Sequence, residues 1–199
     1  MATKKNKYTK TKRARQKKNL KVSERMLPLF EAMEKSLQST ILTISEKIEE
    51  IQEAIEKNRK AAEPWIAVMG DEWVDISQFI SVNKTITHPV DVAGIRVQQY
   101  DRVDFNEMPV SEDTPLWVDD AIVLMREQLQ LMAEIKCLKE QIELLEEELL
   151  DVRAHVKLFE NRRIPNAKTA IRKIGQKLQD DERLTIATAK VVKTGTKKR

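Results

Sequence analysis

The chain has 199 residues and a formal net charge of +4, and 34% of its residues are charged whereas only 5% are aromatic. Four glycines and six prolines are few for a β-sandwich with many tight turns, and a single cysteine excludes a disulfide framework and a cysteine-based zinc site. No apolar run approaches the roughly 20 residues that span a bilayer. The composition therefore predicts a soluble, intracellular and mostly helical protein.

Charge is distributed unevenly along the chain. Residues 1–21 carry +10 and residues 166–199 carry +7, whereas residues 22–165 between them carry −13. The two basic ends could serve as separate tails, for which nucleic acid is the usual partner. Alternatively, if the ends lie side by side in the fold, the molecule has one basic pole and one acidic pole.

The N-terminal arm, residues 1–63, carries an apolar stripe with helical spacing. Its members recur every three or four residues from Met26 to Ile55, at about 3.6 residues per step, and the run of isoleucines is typical of a coiled-coil seam. Pro28 interrupts the pattern, and a helix is expected to kink or restart there. The predicted seam positions of this arm are Leu37, Ile41, Ile44, Ile48, Ile51 and Ile55.

The middle segment, residues 64–115, contains four of the six prolines and two of the four glycines. Its stretches 79–87 and 94–105 are rich in β-branched residues that alternate roughly with period two. The stretch from His88-Pro89 to Gly94 supplies a turn between them. We therefore predict a small β-hairpin with space for a third short strand, and we call residues 64–115 the tip.

The C-terminal arm, residues 116–199, opens with a stripe that extends over 42 residues from Val118 to Phe159 without glycine or proline. Thr114 fits the N-cap of this helix and Pro115 its first position, while Asp119 and Asp120 favour the first turn. The pattern thins beyond Pro165, as it does before Pro28, so the outer ends are expected to need a partner. The predicted seam positions of this arm are Ile122, Leu129, Ile135, Leu138, Ile142, Leu145 and Leu149.

Together these patterns predict a mainly α fold. Two long helices of opposite direction form an antiparallel coiled coil, and the tip between them contains a β-hairpin. The basic ends, residues 1–21 and 166–199, then meet at one pole.

Sequence patterns typical of catalytic or ligand-binding sites are mostly absent. There is no glycine-rich phosphate loop followed by Lys-Ser/Thr, and no spacing typical of a catalytic triad or a metal site. We predict no catalytic, cofactor-binding or metal-binding residues. The candidate partner-binding residues lie in the basic ends: Lys10, Lys12, Arg13, Arg15, Lys17, Lys18, Lys190 and Lys193. These ends could be solubilising tails, could bind nucleic acid, or could dock together into a protein cavity lined with acidic residues. Nucleic-acid binding is disfavoured because interleaved aromatic residues are missing.

The stretch from His155 to Lys193 resembles the C-terminal helix of the D subunit of V-type ATPases and ATP synthases. The similarity is carried by Asn161-Arg-Arg-Ile-Pro165, then Ala170-Ile-Arg-Lys-Ile174, then an acidic cluster before a lysine-ending tail. The basic opening from Tyr8 to Phe30, with its Leu-Pro, is also similar to the family. So are Val92–Val97 and Thr114–Asp119, which are similar to its central hairpin and the start of its return helix.

The resemblance implies a non-catalytic central-stalk rotor subunit without a cofactor, cytoplasmic and peripheral to the membrane. The paired terminal helices would insert into a hexamer of catalytic A and non-catalytic B subunits. A small F subunit would clasp the coil lower down, and the far end would dock on a cap subunit seated on the membrane ring. Torque would pass between ATP chemistry in the hexamer and ion translocation, with neither nucleic-acid binding nor membrane insertion. A nucleic-acid-associated coiled coil and a structural homodimeric coiled coil or tethering factor are the alternatives.

Overall fold

The structure, a computed structural model, describes the backbone of residues 8–69, 76–106, 115 and 117–196, and their side chains except those of 64–69, 76 and 194–196. Three helices dominate: α1 (Lys10–Met69), α2 (Trp117–Leu158) and α3 (Ile164–Thr196). Two antiparallel strands, β1 (Val82–Val92) and β2 (Ile95–Phe105), lie between α1 and α2 in the chain. The predicted fold class, long antiparallel helices with a small hairpin in the middle, is confirmed.

Helix α1 begins at a side-chain cap and continues through Pro28. The Lys12 N–H donates to the Thr9 hydroxyl at 3.2 Å, and the Arg13 N–H donates to the Thr9 carbonyl at 3.0 Å. The prediction that the helix could restart at Pro28 is wrong, because α1 is continuous over 60 residues. Proline has no N–H to donate to the carbonyl four residues earlier in the helix. Because Pro28 is exposed, water can donate a hydrogen bond to that carbonyl instead.

The chain divides into two compact units. The first, which we call the terminal unit, contains Met1–Glu34 and Asp151–Arg199, and the second, the central unit, contains Lys35–Leu150. Each unit draws on both arms. The sequence-based division into residues 1–63, 64–115 and 116–199 stays a prediction.

In the terminal unit, α1 runs antiparallel to the end of α2 and to α3. Three ion pairs show this direction: Glu34 with Arg153 at 3.0 Å, Glu24 with Lys168 at 3.4 Å and Lys10 with Glu182 at 3.9 Å. From one pair to the next, the residue number decreases in α1 and increases in the partner helix. Between α2 and α3, residues Phe159–Arg163 form a π-helical turn in which the Ile164 N–H donates to the Phe159 carbonyl. The turn ends two residues before Pro165, whose ring would clash with the carbonyl four residues earlier in a regular helix.

In the central unit, α1 and α2 pack through aliphatic side chains. Ile48 and Ile51 of α1 form a buried cluster with Ile135 and Leu138 of α2, and the cluster is flanked by Ile44, Ile55, Leu131 and Ile142. The Lys47 ammonium pairs with the Glu134 carboxylate at 2.6 Å beside it. Burying aliphatic surface at about 25 cal/mol per Å² supplies the stabilisation that holds the two helices together.

The hairpin of the central unit turns at Ala93-Gly94, where both φ angles are positive, +52° and +86°. A two-residue turn of this kind matches the twist of paired strands. The prediction that the turn starts at His88-Pro89 is wrong, because both residues lie within β1 and Pro89 pairs with Gln98. A two-stranded sheet has only edge strands, and an edge strand tolerates a proline. The described residues contain no third strand.

The hairpin is joined to α2 by a hydrogen bond and a cation–π contact. Val97 and Val103 of β2 are buried, and the Gln141 side-chain amide donates to the Gln98 carbonyl at 2.7 Å. Nearer the start of α2, the Arg126 guanidinium donates to the Phe79 carbonyl at 2.7 Å and lies 5.1 Å from the centre of the Phe105 ring. The hairpin thus contacts α2 at two levels, Arg126 and Gln141.

Helix α2 begins two residues after Pro115, whose carbonyl accepts a hydrogen bond from the Val118 N–H at 3.0 Å. The prediction that Pro115 is the first helical residue is therefore wrong, and Thr114 lies outside the described residues. Asp119 and Asp120 occupy the first turn, as predicted.

Candidate interaction surface

The predicted partner-binding residues all belong to the terminal unit, but their environments differ. Two of them, Lys12 and Arg13, are half-buried. The others are exposed to solvent, on the first three turns of α1 or near the end of α3: Lys10, Arg15, Lys17, Lys18, Lys190 and Lys193.

The first turns of α1 form a basic groove with α3. Lys10, Arg13 and Lys17 line a groove of about 360 Å³ together with Ala14, Gly175, Leu178, Gln179 and Glu182 of the same unit. Lys190 and Lys193 do not line this groove. They follow Glu182, the partner of Lys10, by eight and eleven residues along α3.

A second and larger groove, of about 830 Å³, lies between α1 and the π-helical turn. Lys18, Arg162 and Arg163 supply its positive charge, and no acidic residue lines it. The Arg163 guanidinium lies 4.9 Å from the centre of the buried Phe159 ring, which fixes its position by a cation–π contact. The apolar part of the lining is formed by Val22, Met26, Phe159, Ala167 and Ala170.

The sequence analysis did not assign Arg162 and Arg163 to the partner-binding surface. A signal for them was present, because Asn161-Arg-Arg-Ile-Pro165 stood out as a motif. The π-helical turn, which brings both arginines to the groove beside Lys18, could not be read from the motif alone.

The end of α3 exposes apolar side chains as well as charge. Every described side chain from residue 179 to residue 193 is exposed. Among them, Leu184, Ile186, Val191 and Val192 are each exposed by 58–69%. Leu184 and Val191 are seven residues apart and lie on one face of the helix. A helical segment with exposed apolar residues and little packing is expected to be covered by a partner.

Other kinds of site are not found in the part of the chain that the structure describes. There, no three histidine, cysteine, aspartate or glutamate side chains gather to hold a metal ion. Within the same residues, no helix combines the length and apolarity needed to cross a membrane.

Comparison with known proteins decides the family. Residues 12–194 match the family of the ATP synthase D subunit. The chain belongs to the ATP synthase D subunit family. The match includes both arms and the hairpin, so the resemblance noted in the sequence is confirmed.

Individual relatives in the D subunit family agree with this assignment. The V-type ATP synthase D subunit of Borreliella burgdorferi is 29% identical over 94% of this chain and 93% of its own. The V-type ATP synthase D subunit of Chlamydia muridarum is 33% identical over 52% of this chain and 51% of its own. That of Chlamydia abortus is 26% identical over 92% of this chain and 90% of its own.

The predicted seam residues of this D subunit family member fall into two groups by burial. Those exposed by 9% or less are Leu37, Ile48, Ile51, Ile122, Ile135, Leu138, Leu145 and Leu149. The remaining five are partly buried: Ile41, Ile44, Ile55, Leu129 and Ile142. Ile122 packs in a different cluster, with Phe79 and Ile80 from the segment before β1.

Proposed function

We propose that this chain is the non-catalytic central-stalk rotor subunit of a V-type ATPase/synthase. In this role it transmits torque between ATP hydrolysis or synthesis in a catalytic hexamer and ion translocation in a membrane ring, to which it is peripheral. The observation that carries the proposal is the D subunit family match from residue 12 to residue 194. Because the match includes both arms and the hairpin, we assign to this chain the role of the whole subunit and not that of a single part of it.

The packing of the helices supports a mechanical role. A shaft must resist twisting, and long helices that interlock through buried aliphatic residues resist relative sliding. The cluster around Ile48 and Leu138 provides such interlocking, and Leu145 is completely buried. The hydrogen bond from Gln141 fixes the hairpin to the same α2 helix, and that from Arg126 fixes the segment before β1.

The terminal unit is the part proposed to insert into the hexamer of A and B subunits. Its two grooves carry positive charge from Arg13, Lys17, Lys18, Arg162 and Arg163. Exposed lysine and arginine side chains can exchange acidic partners at small cost, since each surface ion pair contributes only about 0–1 kcal/mol. A rotating contact needs this property, because no single orientation should be held strongly. The exposed apolar residues at the end of α3 fit an enclosed position inside the hexamer.

The small F subunit is proposed to bind the central unit. Helices α1 and α2 leave large apolar side chains there in contact with solvent, and a protein partner would cover them. They are exposed by 45–67%: Leu42, Val123, Met132, Leu144 and Leu150. The cap subunit of the membrane ring is the third proposed partner, and its position rests on the family resemblance alone.

Reconstitution tests the proposal. The chain, carrying an affinity tag and an optical probe, is combined with the purified A and B subunits of the same complex. We expect a stable complex in which the probe rotates when ATP is added and stops when ATP is exhausted. Failure to join the hexamer, together with tight and strongly salt-dependent binding to DNA, would instead support a nucleic-acid-associated coiled coil.

A further inference from the structure

One arginine of the basic surface lies in an environment unlike that of its neighbours. The side chain of Arg13 crosses from α1 to α3 and lies over Gly175, a buried glycine in the middle of α3. A Cβ atom placed on Gly175 would lie 3.4 Å from an Arg13 terminal nitrogen and 3.5 Å from the guanidinium carbon. A methyl group at residue 175 would thus just touch the guanidinium, and a larger side chain would displace it, so Gly175 leaves a notch in which the guanidinium lies against the helix.

Among the described residues, the acidic side chain that lines a groove together with this guanidinium, Glu182, pairs with Lys10 instead. The Arg13 Nε atom is buried without a hydrogen-bond partner, and among the described residues no carboxylate forms an ion pair with Arg13. On one side Arg13 lines a groove of about 390 Å³ with Lys168, Arg172, Gln176 and Gln179, and no acidic residue lines that groove. A half-buried cation among other cations is unfavourable unless an anion approaches from outside.

We propose that Arg13, held in the Gly175 notch, receives a carboxylate of an acidic protein segment at its terminal nitrogens. The inference rests on the proposed function, in which this segment belongs to the catalytic hexamer. It goes beyond that function by separating Arg13 from the other basic residues. Lys17 and Lys18 are exposed and act as mobile charges, whereas Arg13 presents a fixed planar donor group.

The choice of arginine at residue 13 is explained by this geometry. A guanidinium has its donors in one plane and can bind both oxygens of a carboxylate at once, whereas an ammonium acts as a point charge. The guanidinium is also flat enough to lie between two helices at a position where one of them has a glycine. A lysine would keep the charge but lose the paired hydrogen bonds.

The test compares two arginine-to-lysine substitutions on α1, Arg13→Lys and Arg25→Lys, each of which keeps the net charge. Arg25 is exposed and lines none of the three grooves described above. Affinity for the purified hexamer of A and B subunits is measured at several salt concentrations. We expect Arg13→Lys to weaken binding by about tenfold or more with an unchanged salt dependence, and Arg25→Lys to stay within about twofold of the parent chain. An affinity of Arg13→Lys within about twofold of the parent chain would overturn the inference.

A second variant and a second probe keep the result decisive. Gly175→Leu fills the notch with a good helix former and should displace the guanidinium, so it should weaken binding as Arg13→Lys does while the helical circular dichroism signal is retained. If the parent chain does not bind the hexamer, the proposed function fails. The inference is then judged with poly-L-glutamate, which the parent chain should bind more tightly than Arg13→Lys does. Equal binding of poly-L-glutamate by both chains would overturn it.

Discussion

Leu144 and Leu145 are adjacent in α2 and experience opposite environments. Leu145 is completely buried, whereas Leu144 is 45% exposed. The alternating three- and four-residue spacing of the stripe selected Leu145 and passed over Leu144, so at this level the sequence distinguishes core from surface. The spacing works because a helix places residues i, i+3, i+4 and i+7 on one face.

The same pair of leucines yields a matched test of the packing. Leu145→Asp should lower the free energy of unfolding by about 3 kcal/mol or more, because it buries a carboxylate without a partner. Leu144→Asp should change it by no more than about 0.5 kcal/mol, as is usual for exposed positions. Urea unfolding followed by circular dichroism measures both values. Equal effects of the two substitutions would mean that residue 145 does not lie in a packed interior.

Cys137 offers a second residue-level test, based on pH. Burial raises the pKa of the Cys137 thiol above its ordinary value of 9.0, and the nearby Glu140 carboxylate adds to the effect. The folded chain therefore holds the thiol proton more tightly than the unfolded chain does. Since the unfolded chain releases this proton first, the native state should lose stability as the pH rises above 9.

The control for this pH effect is Cys137→Ala, which removes the titrating group. The difference in unfolding free energy between the parent chain and Cys137→Ala should shift against the parent chain between pH 8 and pH 10. Tyr100, whose pKa is also raised mainly by burial, is present in both chains, so the effect of its burial cancels in the difference, whereas the smaller rise that Cys137 causes is lost in Cys137→Ala. A difference that is constant across this pH range would show that the thiol titrates equally in the folded and unfolded states.

At the scale of the elements, the helices were predictable and the contacts between them were less so. Periodicity predicted the extent of α2 closely, because an apolar stripe records which face is buried. It did not show which row of apolar residues along α2 packs against α1 and which against the hairpin. Met132 lies three residues after Leu129 and three before Ile135 and so fits the spacing, yet it is 55% exposed, and Leu131 joins the cluster with α1 instead. Where α2 packs against both the hairpin and α1, apolar residues on two neighbouring faces of the helix have the same three- and four-residue spacing. The sequence alone does not show which of the two faces meets α1.

The hairpin shows a different limit of sequence analysis. Proline and glycine usually mark turns, and Pro89 made the predicted turn too long, because only the last two residues of the predicted stretch from His88 to Gly94 form the turn. The actual turn includes Ala93, a non-glycine residue with positive φ. Alanine carries no sequence signal for that conformation. The pairing of Val92 with Ile95 on either side of the turn fixes it instead.

Two half-buried amide side chains, Asn58 of α1 and Gln128 of α2, each have one buried atom without a hydrogen-bond partner. Asn58 lies seven residues after Ile51 in α1, and Gln128 lies seven residues before Ile135 in α2, so the antiparallel register places them near one level. The Asn58 Nδ2 and Gln128 Oε1 atoms are buried without hydrogen-bond partners. Unpaired buried amide groups cost about 1–3 kcal/mol each.

Replacing both amides tests this assignment. The double variant Asn58→Leu, Gln128→Leu should raise the free energy of unfolding by about 1–3 kcal/mol, since it exchanges unpaired polar groups for apolar ones. Gln52→Leu, at an exposed position of α1, is the control and should leave the value within about 0.5 kcal/mol. Thermal and urea unfolding measure both variants. A double variant that is less stable than the parent chain would indicate that the two amides are already satisfied in solution.

At the scale of the whole molecule, the charge map was the most informative sequence feature for function. Net charge alone, +4, says little, whereas the two strongly basic ends stand out. The structure assigns both ends to the terminal unit, which contains residues 1–34 and 151–199. Charge could not reveal the grooves, because their walls depend on how α1 packs on α3 and on the π-helical turn. It also could not distinguish Arg13 in its notch from the exposed Lys17.

Reversing the charge of four other basic residues of α1 while keeping Arg13 tests how much electrostatic attraction contributes to insertion of the terminal unit into the hexamer. Lys12→Glu, Arg15→Glu, Lys17→Glu and Lys18→Glu combined change the net charge by eight units on the face that is proposed to enter the hexamer. Affinity for the A and B hexamer should fall, and the remaining binding should depend less on salt, because attraction between opposite charges has been removed. Binding of the small F subunit should be unaffected, since it is proposed to bind the central unit. Circular dichroism should show retained helix, because Lys17 and Lys18 are exposed and the capping Thr9 is unchanged. Normal assembly with the hexamer and a normal ATPase rate in this variant would show that these residues only solubilise the chain.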